Sequence, residues 1–93
     1  MRKATIDMDA MRTIRRSPEA TAGTLATYGA LREIATEAGS CDFNTRLKDI
    51  RTRSLLGDTG TRRALDLMHR RRLIERRPAA GGIRVRMLKV ADY

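Results

Sequence analysis

The stretch from Asp58 to Val90, DTGTRRALDLMHRRRLIERRPAAGGIRVRMLKV, limits the fold of this chain more than any other. Rotating each residue by about 100° from Thr61 gathers Thr61, Ala64, Leu65, Met68 and Arg72 on one side, with Leu67 at its margin. Thr59, Arg62, Arg63, Asp66, His69 and Arg70 gather on the other side. This spacing predicts a helix over about 58–72 with one buried face and one basic face. Asp58 suits its cap, accepting from the open N–H groups of the first turn. Asp66 stands four residues from both Arg62 and Arg70, so i,i+4 pairing accounts for part of the charge pattern. Leu73 and Ile74 then open a strand, and Pro78 with the run Ala79-Ala80-Gly81-Gly82 breaks it. Ile83-Arg84-Val85-Arg86-Met87 alternates with a period of two, which predicts a second strand. Ile83, Val85 and Met87 face the core, and Arg84 and Arg86 face water or phosphate. Leu88 and Val90 fall on the Arg face and suit a second surface, such as a subunit contact.

The charge is distributed in the same way. The net charge is +9. Residues 46–93 hold 14 Lys/Arg against 5 Asp/Glu, and residues 1–45 hold 6 of each. The whole excess lies in the half that carries the basic helix and the hairpin. Such segregation is the electrostatic footprint of a surface that meets phosphate. Of the 20 basic residues 17 are Arg, whose fork matches phosphate and guanine better than Lys does.

The rest of the chain reads as support. Ninety-three residues predict one domain with a modest core of Leu, Ile, Met and Ala, since aromatics make up only 3%. Within residues 1–16, Ile6, Ala10, Met11 and Ile14 share a helical face, so this extension is either a short helix packed on the domain or on a second subunit, or a frayed arm. Arg12, Arg15 and Arg16 add a small basic spot there. Ser17-Pro18-Glu19 reads as a helix start, with Thr24 as an alternative, and the helix runs to Ala38 before Gly39. Its inner stripe is Thr24, Thr27, Tyr28, Leu31, Ile34, Ala35 and Ala38, with Arg32, Glu33, Thr36 and Glu37 outside. Gly23 and Gly29 weaken it. Ser40 to Asn44 connects, with room for a brief strand and Phe43 inward. Asn44 or Thr45 caps a short helix from Arg46 to Ser54, and Leu55-Leu56-Gly57 turns with its leucines inward.

The span Leu47 to Leu88 resembles the winged helix-turn-helix domain of bacterial and archaeal transcription regulators, in the broad style of the MarR and PadR families. Ile50 matches the apolar residue of the first motif helix and Leu56 that of the turn. Thr61, Leu65 and Met68 match the inner stripe of the recognition helix, and Leu73-Ile74 the start of the wing. These families usually read Gly-Leu-Val or Gly-Leu-Ile at the last of these places, where this chain reads Arg72-Leu73-Ile74. Its wing tip is Ala-Ala-Gly-Gly, without the Asp-Arg pair frequent in MarR-like wings. The resemblance implies a mainly α fold of three core helices with a two-stranded wing, residues 17–93, after the N-terminal extension. It implies a recognition helix in the major groove of double-stranded DNA. Arg62, Arg63, His69 and Arg70 then contact bases or phosphates, and Asp66 steers an Arg or accepts from cytosine. Thr59 and Thr61 sit by phosphate at the helix start. Wing residues Arg76, Arg77, Arg84 and Arg86 follow the backbone or the minor groove, and Arg46, Lys48, Arg51 and Arg53 brace it from the other motif helix. Six to eight phosphate contacts imply a log–log salt slope of roughly −5 to −7.

Sequence-specific binding by a small, repressor-like regulator is therefore the leading expectation, acting as a homodimer on two half-sites in the cytoplasm, at the nucleoid. A recombination-directionality, plasmid-partition or replication accessory role remains open, as does a winged helix used for RNA, ribosome or protein contact. Catalysis is not expected. His69 is the only His and lies among Arg, and neither Gly57-Asp58-Thr59-Gly60 nor Gly81-Gly82 makes a phosphate-binding loop. No cofactor, metal, small-molecule ligand or membrane partner is evident. Cys41 is the only cysteine, so it forms no disulfide within the chain and suits a buried or half-buried place.

Overall fold

The computed structural model describes residues 4–5, 8–18, 20–88 and 91–92, with backbone alone for 4–5, 8–11 and 91–92. Four helices and a three-stranded antiparallel sheet form the body: α1 Met8–Arg16, α2 Ala22–Ala38, β2 Asp42–Thr45, α3 Leu47–Ser54, α4 Asp58–Arg70, β3 Ile74–Ala79 and β4 Gly82–Met87. Two short strands, β1 Ala4–Thr5 and β5 Ala91–Asp92, pair antiparallel with each other. No helix among the described residues is long and apolar enough to cross a membrane.

The longest helix is α2, and its buried face is the inner stripe expected from the sequence, with two corrections. Thr24, Thr27, Tyr28, Leu31, Ile34 and Ala35 are buried, but Ala38 is exposed because the helix ends there. Arg32, expected outside, is only 5% exposed, and its Nε and Nη1 find no partner among the described residues. The helix does not start at Ser17-Pro18. Thr21 takes the extended cap conformation and donates its N–H to Thr24 Oγ1 at 3.2 Å. Ser17 instead closes α1, its hydroxyl donating to the Thr13 carbonyl at 2.8 Å. Gly39 ends α2 at φ 68°, donating to Thr36 O while Ser40 donates to Ala35 O, which satisfies the last carbonyls. In α1, Ile14 reaches the core. The other expected apolar positions there, Ile6, Ala10 and Met11, lie outside the described side chains, as does Val90 at the far end.

Against α2 pack α3, α4 and the sheet. The turn between α3 and α4 departs from expectation. Leu55 takes a left-handed conformation, φ 61°, and stands 90% exposed, so only Leu56 turns inward. A Cβ on Gly23 would meet Leu56 at 3.1 Å, so this glycine makes room for the turn against α2. Neither Asn44 nor Thr45 caps α3, whose first turn instead follows Arg46 in extended conformation. Nor does Asp58 cap α4: Gly57 holds the cap position, and the Asp58 carboxylate pairs with Arg51 of α3 at 2.8 Å. Helix α4 ends at Arg70, two residues early. Arg72, assigned by spacing to the buried face, is exposed at φ 58°. It donates to His69 O while Leu73 donates to Met68 O, the capping pattern in which glycine is usual. Arg72 therefore adopts the conformation that glycine takes most readily.

The sheet has order β2-β4-β3, so the brief strand for which the 40–44 connector left room joins the two-stranded hairpin as a third strand. Strand β3 runs through Pro78, which pairs with Ile83, so proline does not break it. As an edge strand it can do without that N–H. Gly81, at φ 72°, makes the tight turn. Register sorts the side chains, because residues opposite each other share a face. Phe43, Val85 and Arg76 share the inner face; Asp42, Arg86 and Glu75 share the outer one with Asn44, Arg84 and Arg77.

Two opposed glycine substitutions test this packing. At Gly82 a Cβ would lie 2.2 Å from the Thr45 carbonyl oxygen, where β2 crosses the hairpin, so Gly82→Ala forces the backbone apart. It should lower stability by about 1–3 kcal/mol in urea unfolding. Gly29→Ala meets nothing within 4 Å inside α2 and should raise stability by about 0.5–1 kcal/mol. Leu55→Gly and Arg72→Gly, which relieve left-handed strain, should each raise it by about 1 kcal/mol.

Candidate nucleic-acid interface

Helix α4 turns its expected basic face to solvent. Its buried side is Thr61, Ala64, Leu65, Leu67 and Met68, and Thr59, Arg62, Arg63, Asp66, His69 and Arg70 are exposed. Leu67, placed by spacing at the margin, is only 3% exposed because α2 covers that flank. Thr61 is fully buried, its hydroxyl enclosed without a hydrogen-bond partner. The expectation that Thr61 meets phosphate is therefore corrected, and Thr59 alone keeps an exposed hydroxyl in that turn.

Many of the expected cations turn out to hold the fold. Arg53 of α3 grips α2, with Nη1 2.6 Å and Nη2 2.7 Å from the two oxygens of Glu37, Nη1 also 3.3 Å from Glu33, and Nε 3.1 Å from Asp49. These carboxylates push the Arg53 guanidinium further toward its charged form, with the Glu37 bond the largest cause and Asp49 next. Arg51 is the partner of Asp58. Arg84 donates to Asp42 at 2.9 Å and to Asn44 at 3.5 Å across the outer sheet face, and that bond holds the Asp42 carboxyl below its ordinary range. Arg76 lies on the inner face of the sheet and pairs with Asp66 of α4. Asp66 thus joins the helix to the hairpin rather than pairing along the helix with Arg62, and Arg76 stands apart from Arg84 and Arg86.

Fewer of the expected cations stand clear of an ion pair among the described residues. Arg62 and Arg63 make no ion pair among the described residues and stand exposed on α4. Arg71, Arg72 and Arg77 are exposed nearby in the chain, Lys48 on α3, and Arg86 on the outer sheet face. Arg46 lies over the hairpin turn, its Nη2 3.9 Å from where a Gly81 Cβ would be. Two open grooves border α4. One, of about 450 Å³, separates it from the hairpin, with Arg62 and Asp66 on one wall, Arg76, Arg77 and Pro78 on the other, and Leu47, Leu65 and Ile83 beneath. The other, of about 470 Å³, separates it from the start of α2, with Arg63, Asp66 and Arg70 facing Thr21 and Thr24. The sequence did not mark Thr21, Leu47 or Pro78 for this surface, because none carries a charge or a pattern that points to it. The described residues bring together no three His, Cys, Asp or Glu side chains able to hold a metal, and Cys41 is half-buried and unpaired. The chain matches no family model, no curated protein and no solved structure.

The Arg53 grip predicts a pH dependence. Arg53 holds the Glu37 carboxyl below its ordinary value of 4.5 through their hydrogen bond. A depressed acid stabilises the fold above that value and loses the contribution as pH falls through its folded pKa. Wild type should lose stability as pH drops below about 4.5. Arg53→Met should flatten that part of the curve in thermal unfolding, since the uncharged chain no longer distinguishes the two forms of Glu37.

Proposed function

We propose that this chain is a sequence-specific double-stranded DNA-binding protein, a winged helix-turn-helix that acts as a small transcriptional regulator of repressor type. In this reading α3, its turn and α4 form the helix-turn-helix, and β3 with β4 forms the wing. The observation that carries it is the exposed Arg62 and Arg63 on α4, without internal partners among the described residues, beside a hairpin that adds Arg77. An Arg kept for stability finds a carboxylate, as Arg53 and Arg84 do. An exposed Arg without one is available for the bidentate contacts that guanine and phosphate accept. The charge excess of the second half supplies the long-range attraction.

The chain acts as a homodimer in this proposal, with symmetric half-sites about one helical turn apart. Light scattering of the protein alone and on DNA reads that state directly; a monomer in both removes it.

Binding to a randomised duplex pool and to unrelated duplexes, by fluorescence anisotropy across a salt series, tests the function. Preferred binding to one recovered sequence at physiological salt supports it. Equal affinity for every duplex, lost with salt, would leave only general phosphate attraction. Arg62→Ala with Arg63→Ala should abolish the preference, each bidentate base contact being worth about 1–3 kcal/mol of discrimination. Arg84→Ala should change affinity little, because Asp42 and Asn44 already engage that guanidinium.

A further inference from the structure

The sheet has two edge strands, β3 and β2. The first carries Pro78, whose nitrogen offers no N–H to a further strand. The second carries no proline. Met87 N–H donates to the Cys41 carbonyl at 2.7 Å. In the antiparallel register of β2 and β4, Cys41, Phe43 and Thr45 then turn their backbone groups toward β4, and Asp42 and Asn44 turn theirs to the free edge. Arg46, in extended conformation, continues the alternation. Two groups on this edge are already used. Asp42 N–H donates to Ser40 Oγ at 3.1 Å, and the Arg46 carbonyl accepts from Asp49 N–H at 3.0 Å and Ile50 N–H at 3.3 Å at the start of α3. The Asp42 carbonyl, both backbone groups of Asn44 and the Arg46 N–H have no hydrogen bond among the described residues. An open hollow of about 410 Å³ lies beside them, between Asn44, Thr45 and Arg46 on one side and Ile34, Lys48 and Thr52 on the other.

We propose that β2 pairs antiparallel with β2 of a second copy of this chain, about a two-fold axis at Asn44, so that the two sheets become one. An isologous contact needs a self-complementary edge, and this edge is one. The Asn44 N–H donates to the partner's Asn44 carbonyl, and the Arg46 N–H to the partner's Asp42 carbonyl, each bond being made twice. The two groups already used, the Asp42 N–H and the Arg46 carbonyl, fall opposite each other across the axis, so no bond of the single chain is displaced. A register centred on Phe43 instead sets Asp42 against the partner's Asn44 and calls on the occupied Asp42 N–H. The charges match as well. Asp42 stands opposite the partner's Arg46, and opposite charges directly across a strand pair attract. Arg46 has no ion pair among the described residues, and Asp42 is held to Arg84 through one oxygen, which leaves it the other. The proposal rests on the homodimer reading above and names its interface, without calling on Arg62 or Arg63.

Light scattering of the full chain over a concentration series, alone and on duplex DNA, reads the dimer. Asp42→Lys sets like charges against each other at both ends of the strand pair, and so does Arg46→Glu. Each variant by itself should dissociate about ten-fold more readily than wild type. An equimolar mixture of the two should regain the wild-type dimer, because the mixed pair again sets opposite charges at both ends. That recovery also shows that both variants are folded. Asn44→Pro removes an N–H that no group within the chain uses, and it should leave a monomer that melts as wild type does. If Asn44→Pro unfolds, the mixture decides alone. Single charge variants that dimerise as wild type does, or a mixture that stays monomeric, overturn the β2 interface while the homodimer reading stands. A wild type that is monomeric both alone and on DNA overturns the homodimer reading and this interface with it, so the wild-type series separates the two failures.

Discussion

The buried stripe of α2 is the constraint on which the other elements depend. Thr24, Thr27, Leu31, Ile34 and Ala35 occupy one side of a 17-residue helix, and α3, α4 and β2 all pack against that helix. Burying such side chains stabilises by roughly 1.5–3 kcal/mol for each large apolar residue, more than any surface ion pair in this molecule can supply. The small residues in the stripe let α4 come close, and Gly23 lets Leu56 come closer still. The exposed face of α4 is therefore set from behind: Ala64, Leu65, Leu67 and Met68 are drawn into the core, and the Arg residues between them are left pointing out.

Charge in this chain does two kinds of work, and burial and reach separate them. Arg53, Arg51, Arg76 and Arg84 find carboxylates on other elements and fasten helix to helix, helix to hairpin and strand to strand. Exposed pairs of this kind contribute about 0–1 kcal/mol each, so their effect is to fix geometry more than to add stability. Arg62 and Arg63 form no ion pair among the described residues, and their positive charge faces solvent. A count of basic residues overstates the surface a phosphate would meet, because part of it is already neutralised.

Two turns carry strain that glycine would avoid. Leu55 and Arg72 both take left-handed conformations at helix ends. Each closes a helix by donating its N–H to a carbonyl of the preceding turn, and each leaves its side chain exposed. The hydrogen bonds of a closed helix end offset a cost of about 1 kcal/mol per residue. Arg72 also adds a cation directly after α4, which a glycine would not.

Local spacing made the helices of this chain legible. The period of α4 and the α2 stripe were readable because burial on a helix repeats with its turn, and β4 because strand faces alternate. The charge imbalance between the two halves is likewise a property of the sequence alone. Contacts between distant residues were not readable. No local pattern ties Arg53 to Glu37, 16 positions away, or joins Asp42 to Arg84, 42 positions away. The sequence thus determined the periodic faces of α2, α4 and β4, though not every element's ends, and where the positive charge lies. Only the tertiary structure decided that β2 completes the sheet, that Arg32 is buried, that Leu55 faces out, and which arginines are spent on the fold. Those outcomes depend on which elements meet in space, and that is set by the packing of α2 against all of them rather than by any single stretch of chain.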